Sequence, residues 1–216
     1  MKTIRQIYDD YKIMPILQEH QLRVAAVGKL ICKSLNNPVD IDGVVQACLF
    51  HDMGNIIKFD LTYFPESVEP EGLAYWQDVK NSYIAKYGPS EHAATAAIAR
   101  ELGLSDNVLH YLDQIGFSHL KETVAVMAIE PKICAYADMR VGPHGVILIE
   151  ERLIDGRKRY EGRADRAMVS DFFDQLAESL RETEKQIFSV ANIKPEDIND
   201  ASILHQLDLW QVASSF

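Results

Sequence analysis

The sequence predicts an all-α fold, a helical bundle built as one domain over residues 1–216. Three observations carry this. Apolar residues recur at intervals of three and four in successive segments, which is the period of a helix with one buried face. Capping residues and glycine or proline stops bracket those segments. No internal repeat, low-complexity tract or linker separates one part of the 216-residue chain from another.

The elements follow in order. Pro15 suits a first helical turn, and Ile16, His20, Val24, Val27, Ile31 and Leu35 then form a stripe that Asn36-Asn37-Pro38 ends. Asp40 or Asp42 can cap the next helix, which runs through Val44, Cys48 and Phe50 to His51 and Asp52, with Gly54 as its stop. Leu61 to Gly88 is aromatic and rich in turn residues, with a short helix expected around Leu73–Ala85; it reads as an excursion over the core, either a lid or packing. Ser90 caps an alanine-rich helix to Leu102, in which His92 is expected to face inward with Ala96 and Ala99. Ser105 opens another helix on Val108, Leu112 and Ile115, with His110 off the stripe as a surface residue and His119 in the loop beyond. Thr123 to Ile129 is continuously apolar and fits a fully buried helix or a short strand. Pro131 starts a helix with Ile133, Cys134, Ala137 and Val141 on its apolar face and Asp138 at the border. A short apolar stretch, Val146 to Ile149, and a charged one, Glu150 to Arg163, precede a long helix on Val169, Phe172, Phe173, Leu176, Leu180, Thr183 and Ile187.

The net charge of −10 argues against nucleic acid as the main partner, because neutralising a phosphate backbone needs clustered Lys and Arg. Cys32, Cys48 and Cys134 each sit in an apolar run and read as reduced core residues. No run of about 18 apolar residues predicts a membrane span, and the N-terminus lacks a signal core, so a cytoplasmic protein is expected. The outer side of the long helix is polar and gives no strong interface signal, leaving a homodimer open.

His51-Asp52 stands where a helix ends, and the last turn presents unpaired carbonyls and the negative pole of the helix dipole to any cation. Asp52 follows an apolar run, and a buried carboxylate needs a cation or donors. With His20 and Asp138 on other helices, the chain offers a mixed nitrogen and oxygen donor set suited to Mn, Fe, Co, Ni or Zn. It includes no thiolate, which removes a zinc-finger reading.

This constellation resembles the HD superfamily of metal-dependent phosphohydrolases, whose hallmark is a His, a His-Asp pair and a distant Asp on separate helices. Cys48-Leu49-Phe50-His51-Asp52-Met53-Gly54 looks like the family's apolar run, pair and glycine, and Lys132 to Asp138 is similar to the segment carrying the last ligand. The resemblance covers residues 15–142 and implies a bundle of the HD-domain type, with 143–216 as a C-terminal helical extension. It implies metal on His20, His51, Asp52 and Asp138, with Mg also allowed. Members with two ions add histidines, and His92 and His119 stand in suitable places for a second metal or for acid–base work. Many members carry Lys where this chain has Asn55, so the phosphate clamp is expected from Asn55, Lys58, Arg23 and Arg140.

The resemblance implies hydrolysis of a phosphomonoester or phosphoanhydride in a small phosphorylated metabolite, a nucleotide first of all. The metal would generate hydroxide from its water, and Asp52 would orient that water or take its proton. Two alternatives stay open: a di-iron oxygenase on the same fold, and a non-catalytic nucleotide-binding regulatory module, which the uncharged Asn55 allows.

Overall fold

Thr3 opens the first helix, α1 (Ile4–Asp10), through a capping box: its hydroxyl accepts the Gln6 N–H while the Gln6 side chain accepts the Thr3 N–H. The architecture comes from a computed structural model, which describes the backbone of residues 2–62, 65–161 and 166–212 and the side chains within 2–62, 65–158 and 171–207.

Pro15 begins α2 (Pro15–Ser34), whose buried face is wider than the expected stripe and adds Gln21, Ala25, Ala26 and Gly28 to Val24, Val27 and Ile31. Those small residues let α3 (Ile41–Phe50) approach closely. A Cβ on Gly28 would sit 3.2 Å from both Cys48 Sγ and Val44 Cγ1. Asp40 supplies the cap of α3 by accepting the Gly43 N–H. Leu49, Phe50 and Met53 are sealed inside, each adding roughly 1.5–3 kcal/mol of apolar burial. Tyr8 of α1 ties this region down, its hydroxyl donating to the Leu49 carbonyl at 2.7 Å.

The chain continues through α4 (Leu73–Tyr87), α5 (Glu91–Glu101, capped by Ser90), α6 (Asp106–Asp113, capped by Ser105) and α7 (Leu120–Ala125). It then forms α8 (Glu130–Met139) and an antiparallel hairpin of β1 (Val141–Gly142) and β2 (Gly145–Val146). The helices α9 (Ile149–Glu161), α10 (Arg166–Phe188) and α11 (Asp200–Val212) complete it. The fold is all-α, with that hairpin the only sheet among the described residues. Helices α2, α3 and α8 pack on one another at the centre; α6 covers α3 and α8, α10 runs across α7, α8 and α9, and α11 lies on α2. The three cysteines are buried free thiols. Among the described residues no helix is long and apolar enough to cross a membrane.

Two sequence expectations need correction here, and the two readings of the Leu61 excursion part. The run from Thr123 is neither a buried helix nor a strand: α7 stops at Ala125, and Met127 is 97% exposed. Val126 turns extended, and an apolar run without a polar face carries no signal for which side meets the core. Phe172 is exposed while Phe173 is buried, because neighbours on a helix point about 100° apart and only one can face α9. The side chain of Val169 and all of Arg163 lie outside the described residues. The excursion from Leu61 inserts Trp76, Val79 and Tyr83 into the core, and Lys80 donates to the Phe59 carbonyl, so it packs as part of the bundle; Tyr63 and Phe64 lie outside the described residues.

Candidate metal centre

Three helix segments bring the cluster together. Helix α2 presents His20 at the edge of its buried face. Helix α3 ends at Phe50, but His51 keeps helical angles (φ −66°, ψ −28°) before the chain turns through Asp52 and Gly54 into a 3-10 turn over Asn55–Ile57. Asp138 comes from the last turn of α8.

The His20 Nε2 lies 3.0 Å from Asp138 Oδ1 and 3.9 Å from Asp52 Oδ2. The His51 Nε2 lies 3.4 Å from Asp138 Oδ1 and 3.7 Å from Asp52 Oδ2. One ligand atom each from His20, His51 and Asp52 falls within 4.8 Å of the others. His51 Nδ1 faces the Cys48 carbonyl at 2.8 Å, which holds a proton on Nδ1 and leaves Nε2 as the ring nitrogen that faces the carboxylates. That Nε2 is buried and has no hydrogen-bond partner.

The electrostatics ask for a cation. Burial disfavours a charged His51, yet the carboxylates of Asp52 and Asp138 outweigh it and raise the imidazolium from 6.5 to about 10. Burial likewise works against ionised Asp138, but the hydrogen bond from His20 and the charge of His51 and His20 hold it well below the usual carboxylate range. Two imidazoles, one of them with its Nε2 unpartnered, and two carboxylates form a nitrogen and oxygen donor set that fits a divalent ion.

The turn after the pair is clamped from two sides. The Asp52 N–H donates to Gln21 Oε1 at 3.2 Å, and the Gly54 N–H donates to Thr95 Oγ1 at 2.9 Å. Gly54 lies so close to α5 that an added Cβ would stand 2.3 Å from the Glu91 carbonyl oxygen. The glycine thereby lets the first turn of α5, with His92, come up to the pair.

A family model described as an HD domain matches residues 15–100, the span that carries His20 and the His51-Asp52 pair. Membership of the HD superfamily is supported over that matched segment. No curated protein and no solved structure matches it. HD domains bind divalent metals, and His20, His51 and Asp52 could hold one here. Asp138, on α8, lies beyond the matched segment of the HD domain.

The cluster opens onto a cleft of about 980 Å³. His92 and His119 both line it, with ring centroids 5.6 Å apart. The inward orientation expected for His92 is corrected: its side chain is 60% exposed, because the first turn of α5 stands at the cleft rather than over the core. Gly116, at φ +133°, passes beside both rings. Neither histidine belongs to the set gathered within 4.8 Å. No described residue of the Leu61–Gly88 excursion lines the cleft, so its lid reading does not hold there.

The four phosphate candidates part ways. Lys58 lines the cleft, half exposed, with Nζ 3.4 Å from Glu91 Oε1. Asn55 also lines it, but its Nδ2 donates to Asp52 Oδ2 at 2.7 Å instead of pointing free. Arg23 does not line it: three residues from His20 it lies about 60° round the helix, and its guanidinium pairs with Glu19 at 3.2 Å. Arg140 is fully buried, donating to the carbonyls of Ile147, Pro195 and Ile198 and to the Tyr136 hydroxyl. Arg140 is a strut between α8, the hairpin and the approach to α11, not a ligand contact.

Sequence reasoning missed Arg100, Arg152 and His110 on the cleft wall. Arg100 was within reach, since it follows His92 and Ala96 at helical spacing on one face of α5. Arg152 was not, because only the folding of α9 brings it to the site.

Proposed function

We propose that this chain is a metal-dependent phosphohydrolase acting on a small phosphorylated metabolite, with nucleotides the first class to test. The observation that carries the reading is the orphaned, buried His51 Nε2 facing two carboxylates and His20 beside a large cleft.

His20, His51, Asp52 and Asp138 would hold the ion. Bound there, a divalent metal supplies Lewis acidity, lowering the pKa of its water and offsetting phosphoryl charge. Asp52 Oδ2 is engaged by Asn55, which leaves Oδ1 to orient the attacking water and take its proton. His92 or His119 can return a proton to the leaving oxygen. Lys58, Arg100 and Arg152 take over from Arg23 and Arg140 as the cations available to phosphate oxygens. Phe117 and Phe173, with ring centroids 5.1 Å apart, add an aromatic portion to the wall, which suits a nucleobase.

The test is elemental analysis of purified protein, followed by phosphate release from nucleoside mono-, di- and triphosphates and sugar phosphates with Mn, Co, Ni or Mg. Metal-dependent release that a chelator abolishes is the expected result. Stoichiometric metal with no release across the panel would replace this reading with the binding module. Bound iron with oxygen consumption would replace it with the oxygenase.

A further inference from the structure

Asn55 occupies a place that neither of its obvious roles explains. It brings no charge for a phosphate, and its amide is already committed. The side chain makes a single hydrogen bond, from Nδ2 to Asp52 Oδ2 at 2.7 Å. Its Oδ1 is buried and has no partner, so the residue bears a desolvation cost that an apolar side chain would avoid. The bonded oxygen is the one Asp52 turns to both imidazoles, 3.9 Å from His20 Nε2 and 3.7 Å from His51 Nε2. Swapping the amide's two ends would set an oxygen against a carboxylate oxygen, so the donor must face Asp52. The 3-10 turn over Asn55–Ile57 sets the reach. The Asn55 N–H donates to the Asp52 carbonyl at 3.0 Å, so backbone and side chain both fold back on the same residue.

From this geometry we infer that Asn55 is a positioning residue for Asp52, fixing the oxygen that faces the metal cluster rather than gripping substrate. A lysine at this place would pair with the same carboxylate through a full charge and compete with the ion. The amide orients the carboxylate and leaves its charge available to the metal. The inference rests on the metal-site reading above, and it concerns metal affinity, which is measured without any substrate.

The experiment titrates chelator-treated protein with Co²⁺ or Mn²⁺ and compares wild type with Asn55→Ala, Asn55→Asp and Asn55→Lys. Orienting partners of metal ligands typically contribute about 10–100-fold in affinity. Asn55→Ala is expected to weaken binding about 10-fold and to shift the visible bands of the Co²⁺ form, because Asp52 is then free to turn. Asn55→Lys is expected to weaken binding further. Asn55→Asp keeps the shape but removes the donor and sets two carboxylates together, so its Co²⁺ spectrum must also differ from wild type. Should Asn55→Ala fail to fold, the isosteric Asn55→Asp carries the comparison. Affinity within twofold of wild type and an unchanged Co²⁺ spectrum in both variants overturn the inference and leave the metal site standing. Failure of the wild type to bind either ion overturns the metal site, and the inference with it.

Discussion

Replacing Gly54 by alanine tests how closely the pair must sit against α5. The new Cβ would lie 2.3 Å from the Glu91 carbonyl oxygen, 2.8 Å from Ala94 Cβ and 2.9 Å from the Thr95 nitrogen. Two of these are backbone atoms and none can rotate aside, so α5 must move by roughly 1 Å to restore ordinary contact. Backbone conformation is not the obstacle, since Gly54 has φ −93° and ψ −1°, which alanine adopts. In open space the exchange would stabilise by about 0.4–1 kcal/mol through the unfolded chain. Overpacking costs about 1–3 kcal/mol, and weakening the 2.9 Å bond from the Gly54 N–H to Thr95 Oγ1 adds about 1 kcal/mol. The expected net loss is about 2 kcal/mol, read from denaturant midpoints at unchanged slope. Metal affinity should fall as well, because the turn holding Asp52 shifts with the strain. A change below about 0.5 kcal/mol with wild-type metal affinity would refute the reasoning, since α5 would then not be seated on the glycine.

Other substitutions separate scaffold from chemistry. His51→Ala should abolish stoichiometric metal binding and destabilise the metal-free protein by about 3 kcal/mol, since Asp138 loses a buried partner; elemental analysis and denaturant titration read the two effects. Arg140→Met should cost about 3–5 kcal/mol while leaving metal content unchanged, because it strands the carbonyls of Ile147, Pro195 and Ile198; normal stability with a raised KM would return Arg140 to the substrate. Arg152→Ala should raise KM about tenfold with kcat little changed in whichever phosphate-release assay responds. Glu184 has its pKa raised, first by burial, against the hydrogen bond from Tyr136 and the charge of Arg140. A folded-state pKa above the unfolded value of 4.5 means that the native state holds this proton more tightly, so its stability cost is present at neutral pH and fades as pH falls through the raised value. Glu184→Gln should therefore be at least as stable as wild type at pH 7.5, with the difference shrinking toward pH 4.5; thermal melts across that range decide it.

The amino-acid sequence by itself determined what depends on neighbours within a turn or two. Ser90, Ser105 and Asp40 cap helices because a side-chain oxygen reaches a free N–H three residues on, and no distant contact is needed. The same local logic put His51 and Asp52 at a helix end and His20 within a buried stripe, at whose edge it stands. The capping box of Thr3 and Gln6 is equally local and equally legible. Tertiary structure alone decided which charges serve the cleft. Arg140 and Arg152 both follow helical or apolar stretches, yet one is sealed by carbonyls 55 and 58 residues away and the other stands at the cleft. Met127 and Phe172 show the same limit for apolar residues, because composition names a candidate for burial but not the partner that covers it. The cluster joins both kinds of information. Each candidate ligand's place on a helix or at its end is a local matter, whereas the 3.0–3.9 Å separations among His20, His51, Asp52 and Asp138 exist only because α2, α3 and α8 pack against one another.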